Sequence, residues 1–257
     1  MTLRYSTAAR TFMAGIGSYK DAFNNGRIEI YTGAQPVSAD AAVTGTLLCT
    51  LTNNSGARTA EVLSAGSVTL TGGASGSVNT LTVNGLEIMG AAVSFVTDLS
   101  TTAAAIALQI NKYHSYAEYM ASSAGAVVTI TALPGTGTTP NGFVVASTTT
   151  TLTKTDANMA GGVAAVNGLQ FGAPSAGVIG ILPGQVWSGI NATSGTAGWY
   201  RRYGSVADTG ALDSGLIYIR EDGAIATAGA EWNLSSTALA ASAVTTCNSS
   251  NLTVTTL

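Results

Sequence analysis

GRIEIYTGAQPVSADAAVTGTLLCTLT (residues 26–52) and LQFGAPSAGVIGILPGQVWSGINATSGTAGWYRRY (residues 169–203) read as two parts of one β-rich domain. In the first, Ile28 and Ile30 alternate with Glu29 and Tyr31, the period of two expected of a half-buried strand with its isoleucines inward. Thr32-Gly33-Ala34-Gln35-Pro36 reads as a turn, and Leu47, Leu48 and Leu51 mark a second strand over 46–52. In the second stretch, Trp199 and Tyr200 project to opposite faces, so one ring is expected in the core and the other at a surface. Arg201 and Arg202 diverge in the same way. One is expected to pair with Glu221 or Asp222, and the other to meet a partner subunit.

Working outward, residues 7–24 carry a helical pattern: Phe12, Ile16, Tyr19 and Phe23 share one face, despite Gly15 and Gly17. Asn24-Asn25-Gly26 supplies a residue able to end that helix in the left-handed conformation. Past residue 56 the texture changes. GSVTLTGG, NTLTVNGLEI, AAVSFVTD, GAVVTITAL and GFVVASTTTTLT are short β-type runs divided by Gly, Asn and Pro, with Asn84-Gly85 marking a tight hairpin. A helix is expected over 100–113, capped by Ser100 or Thr101, with Ala103, Ile106, Ile110 and Tyr113 on one face. That order predicts a small α+β module, its helix packed on a mostly antiparallel sheet. From residue 167 the strands return as GVIGIL, AGWYRRYG, GLIYIRED, AIATAG, EWNLSST and NLTVTT, with Glu221-Asp222-Gly223 read as a turn. The expected architecture is mainly β: an antiparallel β-sandwich, Ig-like or jelly-roll-like, with a short N-terminal helix. Residues 1–55 and 167–257 form this split base, and 56–166 are an inserted α+β domain.

Composition narrows the function. Only 9% of the 257 residues are charged, against about 25% in ordinary globular chains. Hydrophobic residues reach 46% and net charge is −3, which favours a folded chain over a disordered one. The basic residues are scattered, so no nucleic-acid partner is expected. Near-neutral charge favours association and fits a subunit of an assembly, expected to be a homo-oligomer if it serves as a structural protein in repeated copies. Two distant cysteines, Cys49 and Cys247, make no disulfide framework, and Cys49 is expected as a buried thiol. The sole histidine, His114, cannot build a multi-histidine metal site, and is expected exposed at the end of the 100–113 helix. No secretory leader and no long apolar span is visible, so no membrane association is expected.

The blocks GRIEIYTGAQPVSADAAVTGTLL, FGAPSAGVIG, SGTAGWYRRY and IREDGAIATAGAEWNLSST together resemble a family of structural proteins from tailed-bacteriophage virions. The resemblance covers about 27–52 and 169–238 and rests on an I-x-I-Y-x-G-x-Q-P strand and turn with a G-T-A-G-W-[FY]-R strand. In simpler relatives the two parts follow each other closely, so 56–166 reads as an insertion. The resemblance implies a virion location and a non-enzymatic role in repeated copies, on the capsid surface or in the tail or neck. Its partners would be other virion proteins, the major capsid protein or tail and neck proteins. The alternative is an adhesin for a host receptor or polysaccharide. Candidate interface residues are Tyr31, Trp199, Tyr200, Arg201 and Arg202.

Catalytic chemistry finds little footing. No G-x-S-x-G elbow occurs. Asp208 with Asp213, or Glu221 with Asp222, could be proposed as glycosidase carboxylates, but each precedes turn-type residues and reads as a loop start. Asp208, Asp213 and Asp222 lack any calcium-loop spacing. The glycine-rich segments 71–77 and 133–142 lack the P-loop lysine and read as hairpin loops. Tyr31, Trp187, Trp199, Tyr200, Tyr203 and Trp232 would stack on sugars only if they shared an open face; core or interface positions are expected. No catalytic residue, cofactor or metal is expected.

Overall fold

A computed structural model describes residues 3–113, 119–214 and 217–253. The expected position of His114 therefore lies outside the described residues. The elements begin β1 (Arg4–Tyr5), α1 (Thr7–Gly15), α2 (Tyr19–Phe23), β2 (Arg27–Thr32) and β3 (Leu47–Asn53). There follow β4 (Ala65–Gly72), β5 (Ser77–Val83), β6 (Leu86–Glu87), β7 (Val93–Ser94), α3 (Leu99–Tyr113), β8 (Tyr119–Ala124), β9 (Val127–Ala132), β10 (Val145–Thr150) and β11 (Thr153–Ala160). The chain then forms β12 (Val178–Ile179), β13 (Trp187–Ile190), β14 (Gly195–Tyr203) and β15 (Arg220–Ala226). It ends with β16 (Trp232–Asn233), β17 (Ala238–Leu239), β18 (Val244–Cys247) and β19 (Leu252–Thr253). Strand outweighs helix, 42% to 12%, so the chain is mainly β.

Two compact units divide the chain: Met1–Glu61 with Ala165–Leu257, and Val62–Ala164. The divided unit holds a nine-stranded sheet ordered β1-β15-β14-β2-β3-β13-β18, with β16 added to β15 and β17 to β14. All of its pairings are antiparallel except β15 with β16. Ile28 and Ile30 of β2 and Cys49 and Leu51 of β3 face one core, with Phe12 and Phe23 from the helices packed into it. Residues 56–61 and 165–166, read from sequence as part of the insertion, belong to this unit. Thr59 pairs with Val166, and Glu61 N–H donates to Ser205 O at 3.0 Å.

The N-terminal helix differs from expectation: 7–24 is two helices. Ser18 begins the second with a capping box, its hydroxyl accepting from Asp21 N–H while the Asp21 carboxylate accepts from Ser18 N–H. Between them, a Cβ on Gly17 would lie 2.7 Å from the Phe12 ring, so the ring folds back over the break. Asn25, at φ 60°, supplies the expected left-handed residue after α2.

The second unit has two four-stranded sheets where one was expected, β10-β5-β6 with β7 on β5, and β11-β4-β9-β8. Val68, Leu81, Ile106, Ile110 and Ile130 are among the buried residues of its core. The run 142–153 is broken at Thr151 (φ 67°), which sends β10 and β11 into different sheets. The glycine-rich segments 71–77 and 133–142 are not hairpin loops; they carry the chain from one sheet to the other. Asn84 and Gly85, at φ 50° and 81°, make the expected two-residue turn between β5 and β6. Helix α3 is capped by Asp98 rather than Ser100 or Thr101: its Oδ1 accepts from Thr101 N–H at 2.7 Å, holding this exposed carboxyl below its usual pKa.

The ends left by removing 62–164 are adjacent in the divided unit, because Thr59 and Val166 exchange two backbone hydrogen bonds of 3.0 and 3.2 Å. Replacing 62–164 by a short Gly-Ser linker should therefore leave a folded protein with a single cooperative urea transition and strand-type circular dichroism. A non-cooperative transition would show that the divided unit needs the intervening one to fold.

Candidate functional site

Strands β14 and β15 carry most of the polar chemistry of the divided unit. Their antiparallel register sets Arg201 opposite Asp222 and Arg202 opposite Glu221. Glu221-Asp222-Gly223, read as a turn, is the middle of a strand, because its two carboxylates are the cross-strand partners of two arginines. Gly223 fits there for steric reasons: a Cβ would lie 2.5 Å from the Tyr200 ring.

One face of the sheet is a buried charge ladder. Arg201 donates from Nε and Nη2 to the two oxygens of Asp222, both at 2.7 Å, and both side chains are fully buried. Arg220 makes the same fork on Asp208, again at 2.7 Å twice. The 33–46 loop covers this face and accepts from Arg201 at Ala41 O, 2.9 Å. Tyr31 and Trp199 stack beside the ladder with centroids 4.7 Å apart at 15°. Arg27 lies 3.8 Å over the Tyr203 ring and pairs with Glu29 at 2.7 Å.

The opposite face carries Tyr200, Arg202 and Glu221. Glu221 accepts from Tyr19 Oη at 2.7 Å and from Tyr200 Oη at 3.1 Å, and Arg202 Nη1 lies 3.6 Å from it. Nη1 of Arg202 donates to Tyr19 Oη, and Nη2 donates to Ser250 Oγ at 2.8 Å. These residues floor a cleft of about 840 Å³ whose rim includes Glu231, Trp232 and Asn191. Three buried side-chain atoms lack a hydrogen-bond partner among the described residues: Arg202 Nε, Trp199 Nε1 and Asn53 Oδ1.

The expected interface residues do not form a surface. Tyr31, Trp199, Tyr200, Arg201 and Arg202 are 4%, 0%, 5%, 0% and 7% exposed. Neither Trp199 nor Tyr200 has a ring at a surface, because loop 33–46 covers one face and Trp232 stacks edge-on against Tyr200 on the other at 5.5 Å. Neither arginine is exposed: Arg201 is forked to Asp222, and Arg202 lies beneath the cleft with Glu221 3.6 Å from its Nη1. The six aromatics also share no face. Tyr200 and Trp232 line the cleft, Tyr31, Trp199 and Tyr203 belong to the ladder face, and Trp187 is in the core.

The other candidate carboxylates are likewise committed. Glu221 and Asp222 point to opposite faces and cannot flank one substrate. Asp208 is held by Arg220, and Asp213 accepts from Tyr218 N–H at 2.7 Å. Among the described residues, no group of three or more His, Cys, Asp or Glu side chains is placed to hold a metal ion. No described helix is long and apolar enough to cross a membrane. Sequence reading missed β13 and β18. Each is only four residues long, and the available signal was the Trp187 ring followed by Gly189, where a Cβ would sit 2.1 Å from Thr50 O. No protein-family model, no curated protein and no solved structure matches this chain.

Removing one partner of a fully buried ion pair leaves the other charge uncompensated. Asp222→Ala should therefore lower stability by about 3–5 kcal/mol in urea unfolding. The double variant Arg201→Met/Asp222→Leu should recover most of that loss, and a double variant no more stable than the single would contradict this account. Burial also pushes the thiols of Cys49 and Cys247 up to about 11, and the Tyr5 phenol, with Glu221 nearby, up to about 12. Acids whose folded pKa is raised hold protons that the unfolded chain gives up, so their contribution is complete below the unfolded values and is lost as pH rises toward the folded ones. Melting temperature should stay level near neutrality and fall steadily above about pH 9. A flat profile up to pH 10.5, taken as roughly the upper working limit, would refute the assignment.

Proposed function

We propose that this chain is a non-enzymatic structural subunit of a tailed-phage virion, assembled in repeated copies with other virion proteins of the capsid, tail or neck. The observation that carries the reading is where the resemblance falls in the fold. Its blocks supply β2, β3, β14 and β15, four consecutive neighbours in one sheet. Two pairs of characteristic side chains of those blocks are spent on rigidity: Tyr31 stacks on Trp199, and Arg201 is forked to Asp222. Such a use fits a particle component better than a catalyst, whose distinctive residues would face a substrate.

In this reading the divided unit is the base, an antiparallel β-sandwich of Ig-like or jelly-roll type. The short β12–β19 ribbon and the two N-terminal helices add Ile179, Leu252, Phe12 and Phe23 to the core that Ile28 and Ile30 of the large sheet face. The base also exposes a cross-strand apolar pair, Ile190 and Val244, at 61% and 62%. In a chain with so few charges, that pair is a natural contact between copies.

The purified protein should run as a closed oligomer in light scattering, and Ile190→Glu/Val244→Glu should dissociate it without loss of fold. Mass spectrometry of purified particles should find the chain in stoichiometric amount. A monomer that is also missing from particles would overturn the proposal.

A further inference from the structure

Three arginines of one sheet, Arg201, Arg220 and Arg202, are buried to at least nine-tenths, and they are not treated alike. Arg201 and Arg220 each turn the Nε–Nη2 edge of the guanidinium onto a carboxylate, both bonds at 2.7 Å. This is the geometry in which a planar guanidinium and a planar carboxylate fit best. Arg202 presents the same edge without an acid. Its Nη2 has only the Ser250 hydroxyl at 2.8 Å, and its Nε has no partner among the described residues. Glu221 does not fill the gap, because it lies toward Nη1 and already accepts from Tyr19 and Tyr200.

The empty edge belongs to a residue that lines the 840 Å³ cleft. We propose that this cleft binds a hydroxyl-bearing small carboxylate, a sugar acid in chemical class, whose carboxylate takes the Nε–Nη2 edge of Arg202 in place of the Ser250 hydroxyl. Ser250 is a placeholder: a neutral oxygen where the two sister arginines hold an anion. It sits on a segment held by light contacts, the two-residue pairing of β19 with β12 and the Cys247 thiol against Ser249 O at 3.3 Å. Nε is closed to solvent in the structure, so the ligand reaches it by displacing Ser250 from the adjoining Nη2. The rest of the lining suits hydroxyls. Glu231 offers its Oε1 as an acceptor, since among the described residues only Oε2 is engaged, by Ala224 N–H at 2.9 Å, and Trp232 offers a half-buried ring face. Glu231 at the rim opposes a bare anion, which favours a ligand whose hydroxyls can donate to it. The inference is independent of the virion reading, since it rests on the cleft of one chain.

The test uses the full chain and follows the Arg202 Nε–H resonance by proton–nitrogen NMR while D-glucuronate is added. Wild type should show a saturable downfield shift below about 20 mM, and D-glucose should show none. Ser250→Ala, which removes the placeholder, should tighten glucuronate binding at least about threefold. Ser250→Asp, which brings an internal carboxylate to the edge, should move the resonance without ligand and abolish the response to glucuronate, with the fold retained. Absence of a glucuronate response in both wild type and Ser250→Ala, an equal response to glucose, or unchanged binding by Ser250→Asp would each overturn the proposal.

Discussion

A guanidinium cannot shed its proton inside a protein, so each arginine buried in the large sheet must be met by an anion or a row of carbonyls. Much of the divided unit is arranged around that requirement. Asp222 and Asp208 take the forks of Arg201 and Arg220. The 33–46 loop bends so that Ala41 O accepts from Arg201, and its Asp40 carboxylate accepts from Thr7 N–H at 2.9 Å. Ser6 joins helix and ladder. Its hydroxyl caps α1 by accepting from Ala9 N–H, accepts from Arg220 N–H at 3.0 Å, and donates to Tyr218 O at 2.7 Å. The N-terminal helix is thus fixed at the same place where the sheet satisfies its charges.

The same requirement sets strand register. Arg201-Arg202 run against Glu221-Asp222 in antiparallel order, so each cation meets an acid on its own face. A slip of one residue would turn Asp222 toward the helices and Glu221 toward the covering loop. It would also remove Gly223 from beneath Tyr200, where any side chain would collide with the ring. A buried ion pair contributes little net stability beside an apolar pair of equal volume, but a misregistered one is heavily penalised. The ladder is better understood as selecting one pairing out of several than as strengthening the sheet.

How much of this was legible in the sequence follows from the physics. The alternation Ile28-Glu29-Ile30-Tyr31 reports strand and inward face directly, and the Asn84-Gly85 turn is written in two residues that tolerate positive φ. Pairing of an arginine with Glu221 or Asp222 could also be anticipated from charge. What misled was the local Asp-Gly turn signal at 222–223, which the two arginines across the strand override. The surface reading of Trp199 and Arg201 failed because the 33–46 loop covers their face, and Tyr200 and Arg202, though buried, floor a cleft rather than an outer surface. Alternation alone cannot reveal a loop such as 33–46 that folds back over polar side chains. The cleft was invisible for a similar reason: its floor comes from residues near 19, 200 and 221 and its wall from 231–252, which only the fold brings together.

The two faces of the sheet therefore differ in kind. Toward the 33–46 loop Arg201 and Arg220 are each forked to a carboxylate, and the unpartnered atom there among the described residues, the Trp199 indole N–H, is neutral. On the opposite face a charged donor, Arg202 Nε, is closed to solvent and has no partner among the described residues. An unmet buried donor costs about 1–3 kcal/mol, and more when it is charged. The three rings around Arg202, from Tyr19, Phe171 and Trp187, lie 5.4–5.8 Å from its guanidinium carbon and offset part of that cost. They cannot replace a fork of two hydrogen bonds. A fold that satisfies two of these three arginines completely and the third only in part leaves its charged deficit on Arg202, a residue that lines the 840 Å³ cleft.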